Sequence, residues 1–361
     1  MIAHSNTSSP TRESETSSEM RHDWLADRWV IVAPQRTARP NDFVAVTPQV
    51  QSADGCPFCA GREVETPRAV ASYRLDNACG DDWSVRVVPN KFPAVNAAKS
   101  IGLPELDTGA MPESAADDSI ELFRRQDLSG GHEVFIESPR HILSLTELDR
   151  KEVTLVFRAY RDRLAHWLGQ AGCGYAVLFK NVGLEAGASL AHSHSQLIAT
   201  NIVPTEIQRT IDRMRIYERK EKTCVFTRML ENELEQQVRI VEETPDFVAF
   251  CPFASRTPSL VQIMPRKQSS QFERMDRFQI EQLAWLTHRM LRRIEKCFPD
   301  ASYNFVIHTA PRSVGDASFF HWRMELFPRL TKVAGFEWGS DCYINPLTPE
   351  AAAQQLRQVG V

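Results

Sequence analysis

The 361-residue chain has no long hydrophobic run, no marked excess of one charge and no dense set of cysteines. No apolar stretch approaches the roughly 20 residues of a membrane-spanning helix. The 42 Lys and Arg residues are balanced by 46 Asp and Glu residues, which argues against a nucleic-acid-binding surface. Apart from one close pair, the eight cysteines are scattered, which favours a reducing compartment over a disulfide framework. We therefore expect a cytoplasmic protein without a nucleic-acid or membrane partner.

The first twenty residues contain no apolar segment either, so they do not form a secretory signal. They are polar and rich in Ser and Thr, which predicts a disordered leader over residues 1–20. The rest of the chain is long enough to bury a substantial core, in one large domain or two ordinary ones.

Residues 179–196, FKNVGLEAGASLAHSHSQ, contain the most informative pattern in the chain. The apolar stretch just before them predicts a buried strand, and a loop rich in Gly and Ala follows. If residues 192–198 form a second strand, His192, His194 and Gln196 point to the same face. Two imidazoles and an amide are costly to bury without partners. A metal ion, a phosphate group or both would supply those partners.

Cys56 and Cys59 form a CxxC motif that a turn at Gly61 closes. In a cytosolic chain this motif is either half of a zinc site or a redox pair. A thioredoxin-like pair opens a long helix, which Gly61 and Pro67 make improbable here, so zinc is the preferred interpretation. The other cysteines are isolated, which makes histidines the better candidates for the remaining ligands.

His141 lies just past a predicted strand over residues 132–137, where it could face a neighbouring strand. A Zn²⁺ ion held by Cys56, Cys59, His141 and His192 would have a closed Cys₂His₂ site and therefore a structural role.

The HxHxQ pattern suits nucleotidyl transfer through a covalent intermediate. Imidazole is largely unprotonated at neutral pH and leaves readily from phosphorus. If a backbone carbonyl held one ring nitrogen of His194, the other would be free to attack. Gln196 could then bind the non-bridging phosphate oxygens, and the hydroxyl of Ser189 could meet the same phosphate. The alternative is a metal-binding strand in a non-catalytic scaffold.

Arg36 and Arg39 flank a turn after a predicted strand over residues 28–34. Guanidinium groups in such a position often bind phosphate. On local grounds, two solvated arginines are an equally good interpretation.

Strands, one long helix and further strands occur in the same order in both parts of the chain. The amphipathic helix spans residues 148–168 in the first part and 278–296 in the second. The repeated order suggests an internal duplication of about 150 residues. We expect an α+β fold in which each half is a mainly antiparallel sheet with a long helix. The predicted halves are residues 21–205, which contain the CxxC and HxHxQ motifs, and residues 206–361.

The segment FKNVGLEAGASLAHSHSQ resembles, over all eighteen positions, the active-site segment of the galactose-1-phosphate uridylyltransferase branch of the histidine-triad superfamily. RWVIVAPQRTARP, CPFC, NKFP, ESPRH and GFE resemble the same branch in the same order, over residues 21–359. The resemblance implies two histidine-triad-like halves, a homodimer, a nucleotidyl intermediate on His194 and assistance by Gln196. It implies zinc on Cys56, Cys59, His141 and His192, and phosphate or sugar contacts from Arg36, Arg39, Asn90, Asn181, Gly187 and Ser189.

Two departures from the family pattern bear on cofactor and substrate. Some uridylyltransferases hold iron on a histidine cluster in the second half, but here the matching strand has Arg323 and Glu325 where histidines are expected. We therefore predict no iron. The closing GFE and CYINP segments are more similar to the plant ADP-glucose phosphorylase subgroup, which passes AMP through the histidine to inorganic phosphate.

Within nucleotidyl transfer, we prefer uridylyl transfer between UDP-glucose and galactose 1-phosphate, because the wider family is best known for that activity. ADP-glucose phosphorylase activity is the alternative. A nucleotide hydrolase and a non-catalytic, zinc-stabilised nucleotide-binding protein are the remaining candidates.

Overall fold

The computed structural model describes residues 18–38, 53–75, 82–95 and 125–361. The strands within these ranges are β1 Glu19–Asp23, β2 Arg28–Val32, β3 Ala71–Tyr73, β4 Val85–Pro89, β5 Gly130–Ile136, β6 Tyr175–Val182, β7 His194–Thr200, β8 Ile240–Glu243, β9 Phe247–Phe250, β10 Val261–Pro265, β11 Tyr303–His308, β12 Arg323–Pro328 and β13 Tyr343–Asn345. The α-helices are α1 Arg150–Gly169, α2 Thr205–Glu221, α3 Val225–Gln236, α4 Arg277–Cys297, α5 Gly335–Ser340 and α6 Pro349–Gln358. None of these described helices has the length and apolar character needed to span a membrane.

Ten strands form one sheet in the order β3-β4-β5-β7-β6-β11-β12-β10-β9-β8. All neighbouring pairs are antiparallel. The order is symmetric about the central β6–β11 pair, in which Asn181 lies opposite Asn304 and Phe179 lies opposite Val306. Each half contributes five strands and one long helix. The predicted α+β fold, with two similar and mainly antiparallel halves, is confirmed.

The long helices α1 and α4 share one core with the sheet. Both begin with the same local arrangement: Asp149 and Asp276 accept hydrogen bonds from backbone N–H groups of the first turn, while Glu152 and Gln279 bond back to the cap residue. Apolar side chains then recur at helical spacing and form the buried stripe of each helix. Because this core takes one face of the sheet, polar side chains such as those of Asn181 and Asn304 lie on the opposite face, whereas Lys180 of β6 points to the core side.

On that opposite face the two halves differ. Over the second half, α2 and α3 bury Met214 and Phe226 in a cluster that includes Phe250 of β9. Over the first half, a small apolar cluster around Val134 is covered by Phe58 of the CxxC loop. The two motifs singled out in the sequence therefore meet on the first half of the sheet.

A second sheet joins the two ends of the described chain. Its central strand β2 pairs with β1 in antiparallel and with β13 in parallel orientation. β1 begins at Glu19, inside the segment predicted to be a leader, and the buried Arg21 donates a hydrogen bond to Glu350 in α6. Because Glu350 is distant in sequence, no local pattern predicts strand β1. Residues 1–17 lie outside the described residues, and the limits 21–205 and 206–361 stay a prediction.

Candidate active site and metal centre

Strand β7 carries the HxHxQ motif between β5 and β6. It begins at His194, two residues later than predicted, and Gln196 pairs with Val134 on one side and Phe179 on the other. Leu197 packs into the core shared with α1 and α4. Because side chains alternate along a strand, His194 and Gln196 lie on the opposite face.

The ring of His194 is held in one tautomer. Its Nδ1 lies 2.7 Å from the carbonyl oxygen of His192, which can only accept a hydrogen bond, so Nδ1 carries the proton. Nε2 therefore keeps its lone pair. Burial lowers the pKa of His194, whose exposed fraction is 6%, and the ring of Phe58 meets it edge-on at 5.5 Å between centroids. The backbone acceptor that a histidine nucleophile requires is thus in place.

The four side chains predicted to bind zinc come together, with all four ligand atoms within 4.8 Å of one another. Sγ of Cys59 lies 3.4 Å from Nδ1 of His141 and 3.6 Å from Nδ1 of His192. Sγ of Cys56 lies 3.5 Å from the same atom of His192. Sulfur and nitrogen ligands of a tetrahedral zinc ion are about 3.6 Å apart. The donor set and its spacing therefore fit a closed zinc site.

The tautomer of His192 supports the same fit. Its Nε2 donates a hydrogen bond of 2.9 Å to the carbonyl oxygen of Ser138, so the lone pair of Nδ1 faces the two thiols. Burial lowers the pKa of His192 to about 4, which keeps the ring neutral at physiological pH. A hydrogen bond from the outer ring nitrogen is the usual support of a metal-binding histidine.

A buried ion pair fixes the motif from the core side of β7. Lys180 and Glu137 form this pair, and both side chains have an exposed fraction of 0%. The carboxylate of Glu137 accepts hydrogen bonds from four side chains, those of Lys180, Tyr160, Ser193 and Ser195. Lys180 also donates to the carbonyl oxygen of His194 at 3.0 Å. Burial alone would raise the pKa of Glu137, but the ammonium of Lys180 and the serine hydroxyls outweigh it and hold the pKa below its usual value.

Sequence reasoning missed this pair, although a signal was present. Lys180 stands inside the otherwise apolar strand of the FKN segment, and Glu137 closes the strand HEVFIE. A charge within a buried strand requires a partner. The two serines of HSHSQ, which carried no assigned role, turn out to point toward that carboxylate.

The side chain of Gln196 contacts two polar residues of the neighbouring strands. Its Oε1 lies 2.8 Å from Nε2 of His132 and 3.4 Å from Nδ2 of Asn90. Asn90 was predicted to contact substrate; in the structure its Oδ1 accepts the backbone N–H of Phe92 and its amide nitrogen faces Gln196. His132 was not among the predicted site residues, because it reads as part of an ordinary strand.

The loop between β6 and β7 contains two residues predicted to contact substrate, Gly187 and Ser189, and a third, Asn181, lies near the end of β6. A residue of the second half supports this region. Nδ2 of Asn304 donates to Oδ1 of Asn181 at 2.8 Å and to the carbonyl oxygen of Ala186 at 2.9 Å. Gly187 ends a short 3-10 turn with a φ of 86°, and Ser189 is exposed. The structure thus assigns Asn181 a contact within the protein, and the three substrate contacts stay predictions.

Of the two arginines predicted to bind phosphate, the structure describes only Arg36. Arg36 is exposed in the 3-10 turn after β2, in the smaller sheet. Arg39 lies outside the described residues. A phosphate-binding role for either stays a prediction.

The second half has a counterpart of the HxHxQ motif at the start of β12. β12 lies between β10 and β11 as β7 lies between β5 and β6, and His321, Arg323 and Glu325 take the motif positions. Arg323 donates to Glu325 at 3.1 Å, and Arg256 donates to the other carboxylate oxygen at 3.2 Å. Burial alone would raise the pKa of Glu325, but His308 and the two arginines hold it well below its usual value. The absence of iron stays a prediction.

Comparisons with known proteins show which proteins this chain is similar to. Residues 8–204 match the family model of the N-terminal domain of galactose-1-phosphate uridyl transferase, and residues 113–359 match a domain of unknown function, DUF4921. The chain is 34% identical to ADP-glucose phosphorylase of Arabidopsis thaliana, over 96% of this chain and 94% of that protein. It is 28% identical to galactose-1-phosphate uridylyltransferase of Thermotoga maritima, over 95% and 99% of the two chains. The crystal structure of the Arabidopsis ADP-glucose phosphorylase with bound ADP-glucose has a TM-score of 0.77 and 31% identity, covering 96% of this chain and 100% of that one.

Proposed function

The chain belongs to the galactose-1-phosphate uridylyltransferase family of nucleotidyltransferases, as predicted, and we propose that it transfers a nucleotidyl group from a nucleotide-sugar through a covalent bond to His194. The observation that supports this role is the hydrogen bond from Nδ1 of His194 to the carbonyl oxygen of His192, which leaves Nε2 unprotonated. An unprotonated, oriented nitrogen is what nucleophilic attack on phosphorus requires.

In the first step, Nε2 of His194 attacks the α-phosphorus of the nucleotide-sugar. A P–N bond forms, the P–O bond to the β-phosphate breaks, and the sugar 1-phosphate leaves with the bonding electron pair. The proton on Nδ1 stays hydrogen-bonded to the carbonyl oxygen of His192 and helps to stabilise the positive charge on the ring. In the second step, an oxygen of the acceptor phosphate attacks the same phosphorus, the P–N bond breaks and His194 is regenerated. The protein therefore handles donor and acceptor in turn.

Two further groups support these steps. Gln196 donates an amide N–H to the non-bridging oxygens, whose negative charge grows as the phosphorus is attacked. Cys56, Cys59, His141 and His192 would hold Zn²⁺, whose contribution is a structural cross-link between the CxxC loop and the motif. Since His192 would supply a ligand and does supply the carbonyl acceptor for His194, that cross-link would also fix the nucleophile.

Two nucleotide-sugars are candidates for the donor. From the sequence we preferred UDP-glucose with galactose 1-phosphate as acceptor, because the wider family is best known for that activity. The adenylyl alternative, ADP-glucose with phosphate as acceptor, is at least as well supported, since the ADP-glucose phosphorylase is the more similar of the two relatives compared. A homodimer, which the family resemblance implies, and a cytoplasmic location, which the scattered cysteines favour, are further parts of the proposal.

Incubating the protein with UDP-glucose or ADP-glucose, each labelled at the α-phosphate, tests the proposal directly. One of the two should leave acid-labile label on the protein, and the acceptor that removes it identifies the second substrate. Label lost rapidly to water alone would indicate a hydrolase. No label from either donor would favour the non-catalytic alternative.

The variant His194→Gly should take up no label while it keeps its metal and its fold. The matched variant His192→Ala should lose metal and stability, because it removes one of four ligands. Retained labelling in His194→Gly, or metal loss in that variant alone, would reverse the assigned roles.

A further inference from the structure

Next to the proposed nucleophile, three polar side chains form a chain of hydrogen bonds that begins at the protein backbone. The backbone N–H of Ala94 lies 3.1 Å from Nδ1 of His132, and Nε2 of His132 lies 2.8 Å from Oε1 of Gln196. Nδ2 of Asn90 approaches the same oxygen at 3.4 Å. His132 lies on β5 and Gln196 lies on β7, so the chain of bonds crosses between adjacent strands.

The backbone donor determines the orientation of every group after it. An amide N–H can only donate, so Nδ1 of His132 must be an acceptor and the neutral ring must carry its proton on Nε2. That N–H then donates to Gln196, which identifies the atom facing His132 as the amide oxygen. Asn90 is fixed in the same way, since its Oδ1 accepts the backbone N–H of Phe92 at 2.8 Å and its nitrogen faces Gln196. That nitrogen also lies 3.1 Å from Nε2 of His132. Because Nε2 already carries a proton, it cannot accept from Asn90, whose N–H is left to donate to the oxygen of Gln196. The amide nitrogen of Gln196 is therefore the end that remains to donate to a ligand.

We propose that His132 is a positioning residue that holds the amide of Gln196 in the orientation needed to donate to the α-phosphate, an inference that rests on the proposed function. A Gln side chain rotated by half a turn would present its oxygen to the phosphate and repel it. The two orientations fill the same space, so packing alone does not choose between them. The Nε2–H of His132 does, because it is a donor that Gln196 can satisfy only with its oxygen.

Two substitutions at position 132 separate the effect of the hydrogen-bond donor from the effect of replacing the histidine ring. His132→Gln reaches far enough for its amide N–H to replace Nε2–H, whereas His132→Asn reaches only as far as Nδ1. We expect His132→Asn to slow formation of the nucleotidyl-protein in a single turnover by roughly tenfold to a hundredfold, less than the loss of a whole oxyanion donor, which typically costs ~10²–10³ in rate. His132→Gln should recover most of that rate, and the Kd of the nucleotide-sugar should change by less than about twofold in both. Equal slowing in both variants, or a weaker Kd with an unchanged rate, would overturn the proposal.

A double variant tests whether His132 acts through Gln196. In a Gln196→Ala background, His132→Asn should cause no further slowing, because the group it orients has gone. Additive slowing would mean that His132 acts by another route and would overturn the proposal. His166→Phe, at an exposed position on α1, is the control for a general effect of replacing a histidine. If the unmodified protein forms no nucleotidyl adduct, the proposed function fails instead.

A further measurement does not depend on activity or on variants that fold. In protein labelled with ¹⁵N-histidine, the nitrogen resonances of His132 report its tautomer. We expect a protonated Nε2 and an unprotonated Nδ1. If Nδ1 carried the proton, Nε2 could not donate to Gln196 and His132 could not orient its amide. That result would overturn the proposal whatever the catalytic measurements show.

Discussion

Replacing Lys180 with Met should destabilise the protein by about 3–4 kcal/mol at pH 7 and by much less at pH 5. Met has a similar length and volume, so the substitution removes the charge without opening a large cavity. It leaves the carboxylate of Glu137 fully buried with hydroxyl donors but without an opposite charge. Removing one partner of a buried ion pair typically costs about 3–5 kcal/mol.

Protonation of Glu137 sets an upper limit on the electrostatic part of that cost. An ordinary Glu has a pKa of about 4.3, and keeping its carboxyl protonated costs about 1.4 kcal/mol for each pH unit above that value. The limit is therefore about 3.7 kcal/mol at pH 7 and about 1 kcal/mol at pH 5. In the variant, the pKa of Glu137 rises above its unfolded value, so the loss of stability grows with pH. In the unmodified protein the pKa is held low, so the pair's contribution is present above the ordinary pKa of Glu and is lost as the pH falls through the lower folded-state pKa.

Urea unfolding of the unmodified protein and of Lys180→Met, at both pH values, measures this difference. The double variant Lys180→Met/Glu137→Gln is the matched control, since it removes both charges and keeps a polar side chain for the surrounding hydroxyls. Its loss at pH 7 should be smaller than that of Lys180→Met alone. A loss in Lys180→Met below about 1 kcal/mol at pH 7, the range of an exposed pair, would refute the reasoning. So would a loss of stability that is independent of pH, or a double variant no more stable than Lys180→Met alone.

A chelator that removes the proposed zinc ion should lower the urea midpoint and expose the CxxC thiols to a thiol reagent, because a structural zinc ion can contribute on the order of 10 kcal/mol to folding. Added zinc should restore both, and an unchanged midpoint would contradict the proposed structural role. Arg239→Met should cost about 3–5 kcal/mol in urea unfolding at pH 7 because it leaves Glu233 buried without its main partner. A second substitution, Glu233→Gln, should recover part of that loss, and no recovery would speak against the pair. Gly131→Ala should destabilise by about 1–3 kcal/mol, since the added Cβ would lie 2.1 Å from the ring of Trp167. Gly169→Ala, at the last residue of α1 with nothing within 4 Å, is its control and should leave the thermal midpoint unchanged or raise it slightly.

Local sequence patterns were sufficient for the elements that carry the candidate site. The apolar stretch before residue 179 and the amphipathic segment 148–168 are present as β6 and α1, because alternation and helical spacing each match one way of burying a face. The sequence predicted that strands and helices recur in the same order along the chain, but it did not predict the symmetric order of the strands within the sheet. The pairing of Asn181 with Asn304 depends on contact between the halves, which no local pattern encodes.

The metal cluster shows the same division between local and distant information. The CxxC spacing alone indicates half of a metal site. The histidine that approaches Cys56 lies 136 positions away, and the one that approaches Cys59 lies 82 positions away. Family resemblance indicated which histidines to choose, and the sheet accounts for the choice, since the end of β5 leads to His141 and the start of β7 follows His192.

The groups that sequence reasoning missed all lie in stretches that read as ordinary strands. Lys180 and Glu137 each place a charge at or within an apolar strand, which indicates that a partner is needed. The partner is 43 positions away, and nothing in either strand identifies it. The sequence around His132 contains no such signal. Its proposed role depends on a backbone N–H in the loop after β4 and on a side chain of another strand.

Side chains rather than backbone explain why the proposed chemistry belongs to one half of a symmetric sheet. At the position of His194, the second half has Arg323, whose guanidinium offers no lone pair for attack on phosphorus. At the position of Gln196 it has Glu325, whose negative charge would repel a phosphate and is already paired with two arginines. The helices α2 and α3 also cover that half. What the second half supplies instead is support across the central strand pair, where Asn304 holds the loop that leads to the histidines of the first half.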